Sequence, residues 1–173
     1  SEFFHISKDS GALFERLQIS KNKQLCCIWQ NQWPVLFLTL KSVEGLKFDS
    51  AYGMLEAVIS ELCVEHFYLA ESQVVNPVHR EIFLRLAKKT ASEEEIKNSL
   101  YTIMAMMQTH YGKRVILLVD EYDVPLAKAS ENGYYKQMLD VIRGILGQVL
   151  KGNSSLKFSV VTGCLRIAKE SIF

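Results

Sequence analysis

The chain has 173 residues, the size of one ordinary domain. Hydrophobic residues make up 49% and charged residues 23%, a globular mix that excludes intrinsic disorder, a collagen repeat and a disulfide scaffold. Twenty Lys and Arg against nineteen Asp and Glu leave a net charge of +1, so no bulk pull toward nucleic acid or an anionic membrane follows.

No uninterrupted apolar run approaches the ~18–20 residues that span a bilayer. The opening Ser-Glu-Phe-Phe-His has no initiating Met and no basic n-region, so a processed chain or a piece of a longer one is expected. Cys26, Cys27, Cys63 and Cys164 form no C-x-x-C pair and no zinc spacing; free thiols in a reducing cytoplasm are expected. His5, His66, His79 and His110 make no ligand spacing either.

In chain order, Asp9 or Ser10 can cap a short helix carrying Leu13, Phe14 and Leu17. Residues 33–40 are an apolar run whose length favours a strand buried on both faces. Residues 50–67 repeat Leu55, Ile59, Leu62 and Cys63 at helical spacing, residues 71–77 read as a loop, and residues 79–89 as a second short helix. Ser92-Glu93-Glu94-Glu95 is a capping box opening a helix with Ile96, Leu100, Ile103, Met104, Met107 and Tyr111 on one stripe, ended by Gly112. The Met-rich stripe reads as core. Residues 115–119 are a β-prone apolar strand, residues 131–133 a turn, and residues 134–150 a helix whose Gly144 and Gly147 suggest close packing. A last strand runs to Thr162 and closes at Gly163. Strands separated by helices imply a mainly parallel sheet in a three-layer helix–sheet–helix α/β fold, one domain over residues 1–173.

The informative point is VILLVDEYD, residues 115–123. A buried strand delivers Asp120 and Glu121 at its C-terminal end, where parallel sheets bind ligands, and Asp123 follows two positions on. Acidic residues can simply open a solvated loop, but five apolar residues leading straight into Asp-Glu are the pattern of a Walker B strand. Asp120 suits Mg²⁺, alone or with Asp123, and Glu121 suits orienting or deprotonating a water that attacks a γ-phosphate. Thr162 ends a neighbouring strand, where its hydroxyl could position that water or merely satisfy its own loop. Arg166 could reach a phosphate or lie on the surface at a helix start. None of the nine glycines builds the G-x-x-x-x-G-K-[ST] loop that cradles a triphosphate.

The stretch VILLVDEYDVPLAKASENGYY, with MLDVIRGILGQVLKGNSSLKFSVVTGCLRIAKESIF after it, resembles the AAA-ATPase-like domain family of bacterial proteins. The earlier FFHISKDSGALFERLQI and WPVLFLTLK are similar to that family too, so the resemblance spans essentially the whole chain. It implies a P-loop NTPase-like fold, incomplete here, that uses ATP and Mg²⁺, with the phosphate loop upstream of residue 1. It makes Asp120 the Mg²⁺ ligand, Glu121 the catalytic Glu and Thr162 the sensor residue, and it puts Arg166 in a T-G-x-L-R stretch. It also implies a sheet in which residues 115–120 lie between residues 35–40 and 157–162. The apolar edge at 157–162 then calls for cover by a second copy or another strand. The expected activity is a nucleotide-driven switch on an attached or partner effector domain, often nuclease-like. A scaffold that has lost nucleotide binding is the alternative. A metal nuclease would need a Glu-x-Lys pair on an adjoining strand, and a helicase would need a second motor domain; neither is visible.

Overall fold

The computed structural model describes residues 1–164. Three strands, β1 (Val35–Thr39), β2 (Val115–Asp120) and β3 (Leu156–Val161), form one parallel sheet in the order β1-β2-β3. The acidic strand β2 is central, as expected. Before β1 come two short helices, α1 (Gly11–Phe14) and α2 (Lys23–Trp29). Between β1 and β2 run α3 (Phe48–Glu65), α4 (Tyr68–Glu71), α5 (Pro77–Ala87), α6 (Glu93–Lys97) and α7 (Ser99–Tyr111); between β2 and β3 run α8 (Val124–Glu131) and α9 (Tyr135–Leu150). Parallel neighbours need such long crossovers because the chain must return to the same end of the sheet.

The ends of the helices follow local chemistry. Asn76 accepts a hydrogen bond from the Val78 amide and Pro77 fills the first turn of α5. The capping box forms: Ser92 Oγ accepts from the Glu95 amide, and the Ser92 amide donates to Glu95 Oε2 at 2.9 Å. The helix it opens is not continuous. Asn98, at φ −95° and ψ 5°, separates α6 from α7. Gly112, at φ +64°, ends α7 in the left-handed conformation that glycine adopts without strain.

The two faces of the sheet differ. Leu36, Leu38, Leu117 and Val119 are buried in the core with Leu55 and Ile59 of α3, Ile103 and Met107 of α7, and Ile142 and Ile145 of α9. The methionine stripe is therefore core. The opposite face is covered only at its start. There the Phe4 and Trp29 rings each meet Phe158 edge-on at 5.7 Å, and Lys157 Nζ lies 4.4 Å from the Trp33 ring centre. Further along, Phe37 is 45% and Val160 46% exposed. The expectation that β1 is buried on both faces is thus corrected: the N-terminal segment makes the third layer but stops short of Phe37.

Other expectations shift in detail. Leu13 and Leu17 are exposed, and α2, α4 and α8 arise where no helix was expected. Gly144 does mark a close approach, since a Cβ there would lie 2.6 Å from Lys97 Cγ; Gly147 does not, with nothing within 4 Å. All four cysteines are free. Among the described residues no helix is long and apolar enough to cross a membrane.

Candidate functional site

Register places the site. Val35, Ile116 and Phe158 stand side by side, then Phe37, Leu118 and Val160, then Thr39 and Asp120. The row therefore passes from covered apolar, through half-open apolar, to polar at the C-terminal edge. Asp120, the last residue of β2, lies half-buried at this edge. Thr162, one residue beyond β3, donates its hydroxyl to Asp120 Oδ1 at 2.6 Å, with the Val119 carbonyl at 3.3 Å. A hydrogen bond to a carboxylate is stronger than one between neutral groups, so the Asp120 contact directs the hydroxyl.

The backbone fixes the two strand exits together. The Thr162 amide donates to the Val119 carbonyl at 2.8 Å, and the Tyr122 amide donates to the Thr162 carbonyl at 3.2 Å. Between them Glu121 takes φ +54°, a left-handed conformation that costs a non-glycine residue ~1–2 kcal/mol. The turn then closes through the Val124 amide on the Glu121 carbonyl at 3.2 Å, and α8 starts. Non-glycine residues held in sparsely populated backbone regions concentrate at functional sites. The Glu121 carboxylate is half-buried and takes no hydrogen bond or ion pair among the described residues.

Asp123 occupies a different environment from Asp120. It is 1% exposed and sits against Gly163, where an added Cβ would fall 2.5 Å from Asp123 Oδ1 and 2.8 Å from Tyr122 Cε1. Gly163 is thus the residue that lets the β3 exit approach the acidic turn. Sequence reasoning noted it only as a strand stop, although its place next to Thr162 was the available signal. Asp120 and Thr162 meet through their hydrogen bond, and Glu121 follows Asp120 directly in the chain. Arg166 lies outside the described residues.

Among the described residues no group of three or more His, Cys, Asp or Glu is arranged to hold a metal ion. Mg²⁺ asks for less, since it keeps several waters and takes one or two carboxylates. The half-exposed Asp120 beside a hydroxyl supplies hard oxygen donors of the right kind. The chain supplies no glycine-rich lysine loop to share the ion with a triphosphate.

No curated protein and no solved structure matches the chain. A protein-family model described as "Predicted AAA-ATPase" matches residues 1–173. The match runs through the acidic strand, the Thr162 exit and the whole parallel sheet, and the chain belongs to the AAA-ATPase-like family.

Proposed function

We propose that these residues form the acidic and sensing half of an ATP-binding and hydrolysing site, whose phosphate loop is contributed by polypeptide outside residues 1–173. The observation that carries this reading is the 2.6 Å bond between Thr162 and Asp120 across adjacent strand ends. Asp120 would hold Mg²⁺, directly or through its waters; the ion, when bound, supplies charge neutralisation at the phosphates. Glu121, one position on and without another hydrogen-bond partner among the described residues, orients or deprotonates the attacking water. Thr162 has one hydroxyl proton and two acceptors within reach, so its direction depends on what Asp120 is bound to. That dependence couples the site to β3 and gives a physical route to a nucleotide-driven switch acting on an attached or partner domain.

A scaffold without nucleotide chemistry is the second reading, and the lack of any G-x-x-x-x-G-K-[ST] loop in the chain favours it. Calorimetry of ATP binding, with and without Mg²⁺, separates the two. It is run on residues 1–173 and on a longer natural polypeptide that includes the preceding sequence. The ATPase reading expects binding only by the longer one, with Glu121→Gln retaining binding and abolishing hydrolysis. Failure of both polypeptides to bind overturns it.

A further inference from the structure

The outer edge of β1 carries a feature that the nucleotide reading does not use. The Pro34 carbonyl accepts from the Ile116 amide, and the Leu40 amide donates to the Asp120 carbonyl. Even-numbered residues of β1 therefore bond to β2, and Val35, Phe37 and Thr39 direct their amides and carbonyls outward. Just before β1 this edge is already used. Trp33 pairs in parallel with His5: the Trp33 amide donates to the Phe4 carbonyl at 3.0 Å, and the Ile6 amide donates to the Trp33 carbonyl at 2.8 Å. The N-terminal segment then turns away, its Lys8 amide bonding back to the His5 carbonyl. Among the described residues no backbone bond is made to the outward groups of Phe37 and Thr39.

Beside this open stretch lie two clefts. One, of about 170 Å³, runs between Phe37–Thr39 and the outer side of α3, where Glu61 and Glu65 stand one helical turn apart. The other, of about 720 Å³, is lined by Val35, Phe37, His66, Tyr68 and Tyr111 among others. Phe37 and Glu65 line both clefts, so the two are continuous along the strand. Neither Glu61 nor Glu65 has an ion-pair partner among the described residues.

We infer that the outer edge of β1 is a docking site for an extended segment of a partner protein. The segment adds as a further strand and carries Lys or Arg toward Glu61 and Glu65 and an aromatic side chain toward the larger cleft. Outward main-chain groups ask for extended backbone, which satisfies them in alternation. Two unpaired carboxylates on one wall ask for cations. The Phe37, Tyr68 and Tyr111 rings in the larger cleft ask for an aromatic body with a polar tip. The isolated His5–Trp33 bridge shows the same edge accepting main-chain bonds from another segment at its start.

The test uses a fluorescent hexapeptide, YVKVKV, its acidic twin YVEVEV, and two forms of the basic peptide N-methylated along one edge or the other. Binding to residues 1–173 is read by anisotropy and by amide chemical-shift changes. YVKVKV is expected to bind with shifts at Phe37, Thr39, Glu61 and Glu65, and YVEVEV to bind at least about tenfold more weakly. One N-methylated form should bind and the other should not, because only one edge faces β1. Thr39→Pro removes an outward amide on an edge strand, where proline is tolerated, and should weaken binding about tenfold or more. Glu61→Lys with Glu65→Lys, on an exposed helix face, should do the same without touching the sheet. The inference is overturned if YVKVKV fails to bind at millimolar concentration, or if both N-methylated forms bind equally. It is also overturned if the chain self-associates and Thr39→Pro abolishes that association, since the occupant is then a second copy.

Discussion

Gly144 and Gly147 lie one turn apart on α9, yet alanine should move stability in opposite directions at the two positions. At 147 the new Cβ meets nothing within 4 Å, so the substitution gains helix propensity worth about 1 kcal/mol. At 144 it would lie 2.6 Å from Lys97 Cγ and 2.9 Å from Lys97 Cβ and Cδ. Those atoms are the root of the side chain, not its free end. The far end is also tied, with Lys97 Nζ 2.6 Å from Asp140 and 2.8 Å from Glu93. Overpacking of this kind costs ~1–3 kcal/mol, so after the same propensity gain Gly144→Ala loses about 0–2 kcal/mol. Breaking the two exposed ion pairs adds at most ~1 kcal/mol each. The variants should thus differ by roughly 1–3 kcal/mol, and a domain of this size shifts ~2–4 °C per kcal/mol. Gly147→Ala is expected to melt a few degrees above the parent chain and Gly144→Ala at or below it, with unchanged urea m-values. Adding Lys97→Ala to Gly144→Ala should recover only part of the loss, because it removes Cγ and Cδ but keeps the Lys97 Cβ 2.9 Å away. If Gly144→Ala alone melts as high as Gly147→Ala, the close packing of Lys97 in α6 on Gly144 in α9 is refuted.

Gly163→Ala drives a Cβ into the buried Asp123 and should cost ~1–3 kcal/mol; an unchanged thermal melt would show that the β3 exit does not rest on the acidic turn. Ser92→Ala removes the hydroxyl that accepts from the Glu95 amide and should lower stability by about 1 kcal/mol in urea unfolding, whereas Ser92→Thr should leave it nearly intact. Burial first, then Lys8 and His66, hold the His5 imidazole below its ordinary 6.5. The unfolded chain then binds more protons, so this contribution is present above pH 6.5 and is lost as pH falls through the folded-state value. A stability profile from pH 8 to 5 should decline toward acid, and His5→Gln should flatten the decline.

The sheet was legible because its strands are short apolar runs set between helical periodicities, and the sequence order of such units allows few parallel arrangements. The capping box and Gly112 were legible because each acts within one turn of chain. What escaped depended on neighbours distant in sequence. Residues 33–40 read as a doubly buried strand because all but Thr39 are apolar, yet Phe37 is half-exposed for want of a layer above it. The helix after Ser92 read as one piece because its apolar stripe continues through Asn98, where the backbone departs from helical geometry. Gly144 and Gly147 are the same residue type in the same helix, and only the position of Lys97 distinguishes them. In the site, Asp120, Glu121 and Thr162 were legible by type and order. The left-handed turn at Glu121, the burial of Asp123 and the clearance at Gly163 were not, since each belongs to the fit between two strand exits 42 residues apart in the Thr162–Asp120 pairing.

Two shortfalls coincide on the same face of the sheet. The row Phe37, Leu118 and Val160 has apolar side chains with incomplete cover among the described residues. Its continuation, Asp120 with Thr162, offers acidic and hydroxyl groups, and the sequence holds no G-x-x-x-x-G-K-[ST] loop to cradle phosphate. An exposed apolar stretch on a sheet is stabilised by a packed helix, and phosphate is held by the amides at a helix N-terminus. One helix lying over the row, with its N-terminus at the polar end, would answer both at once. On the proposed reading, a single added helix would then cover Phe37 and Val160 while supplying the phosphate cradle. Side-chain labelling at those two residues should change together with ATP binding in a longer polypeptide. Nucleotide binding with both residues still open would place the phosphate cradle elsewhere and overturn this arrangement.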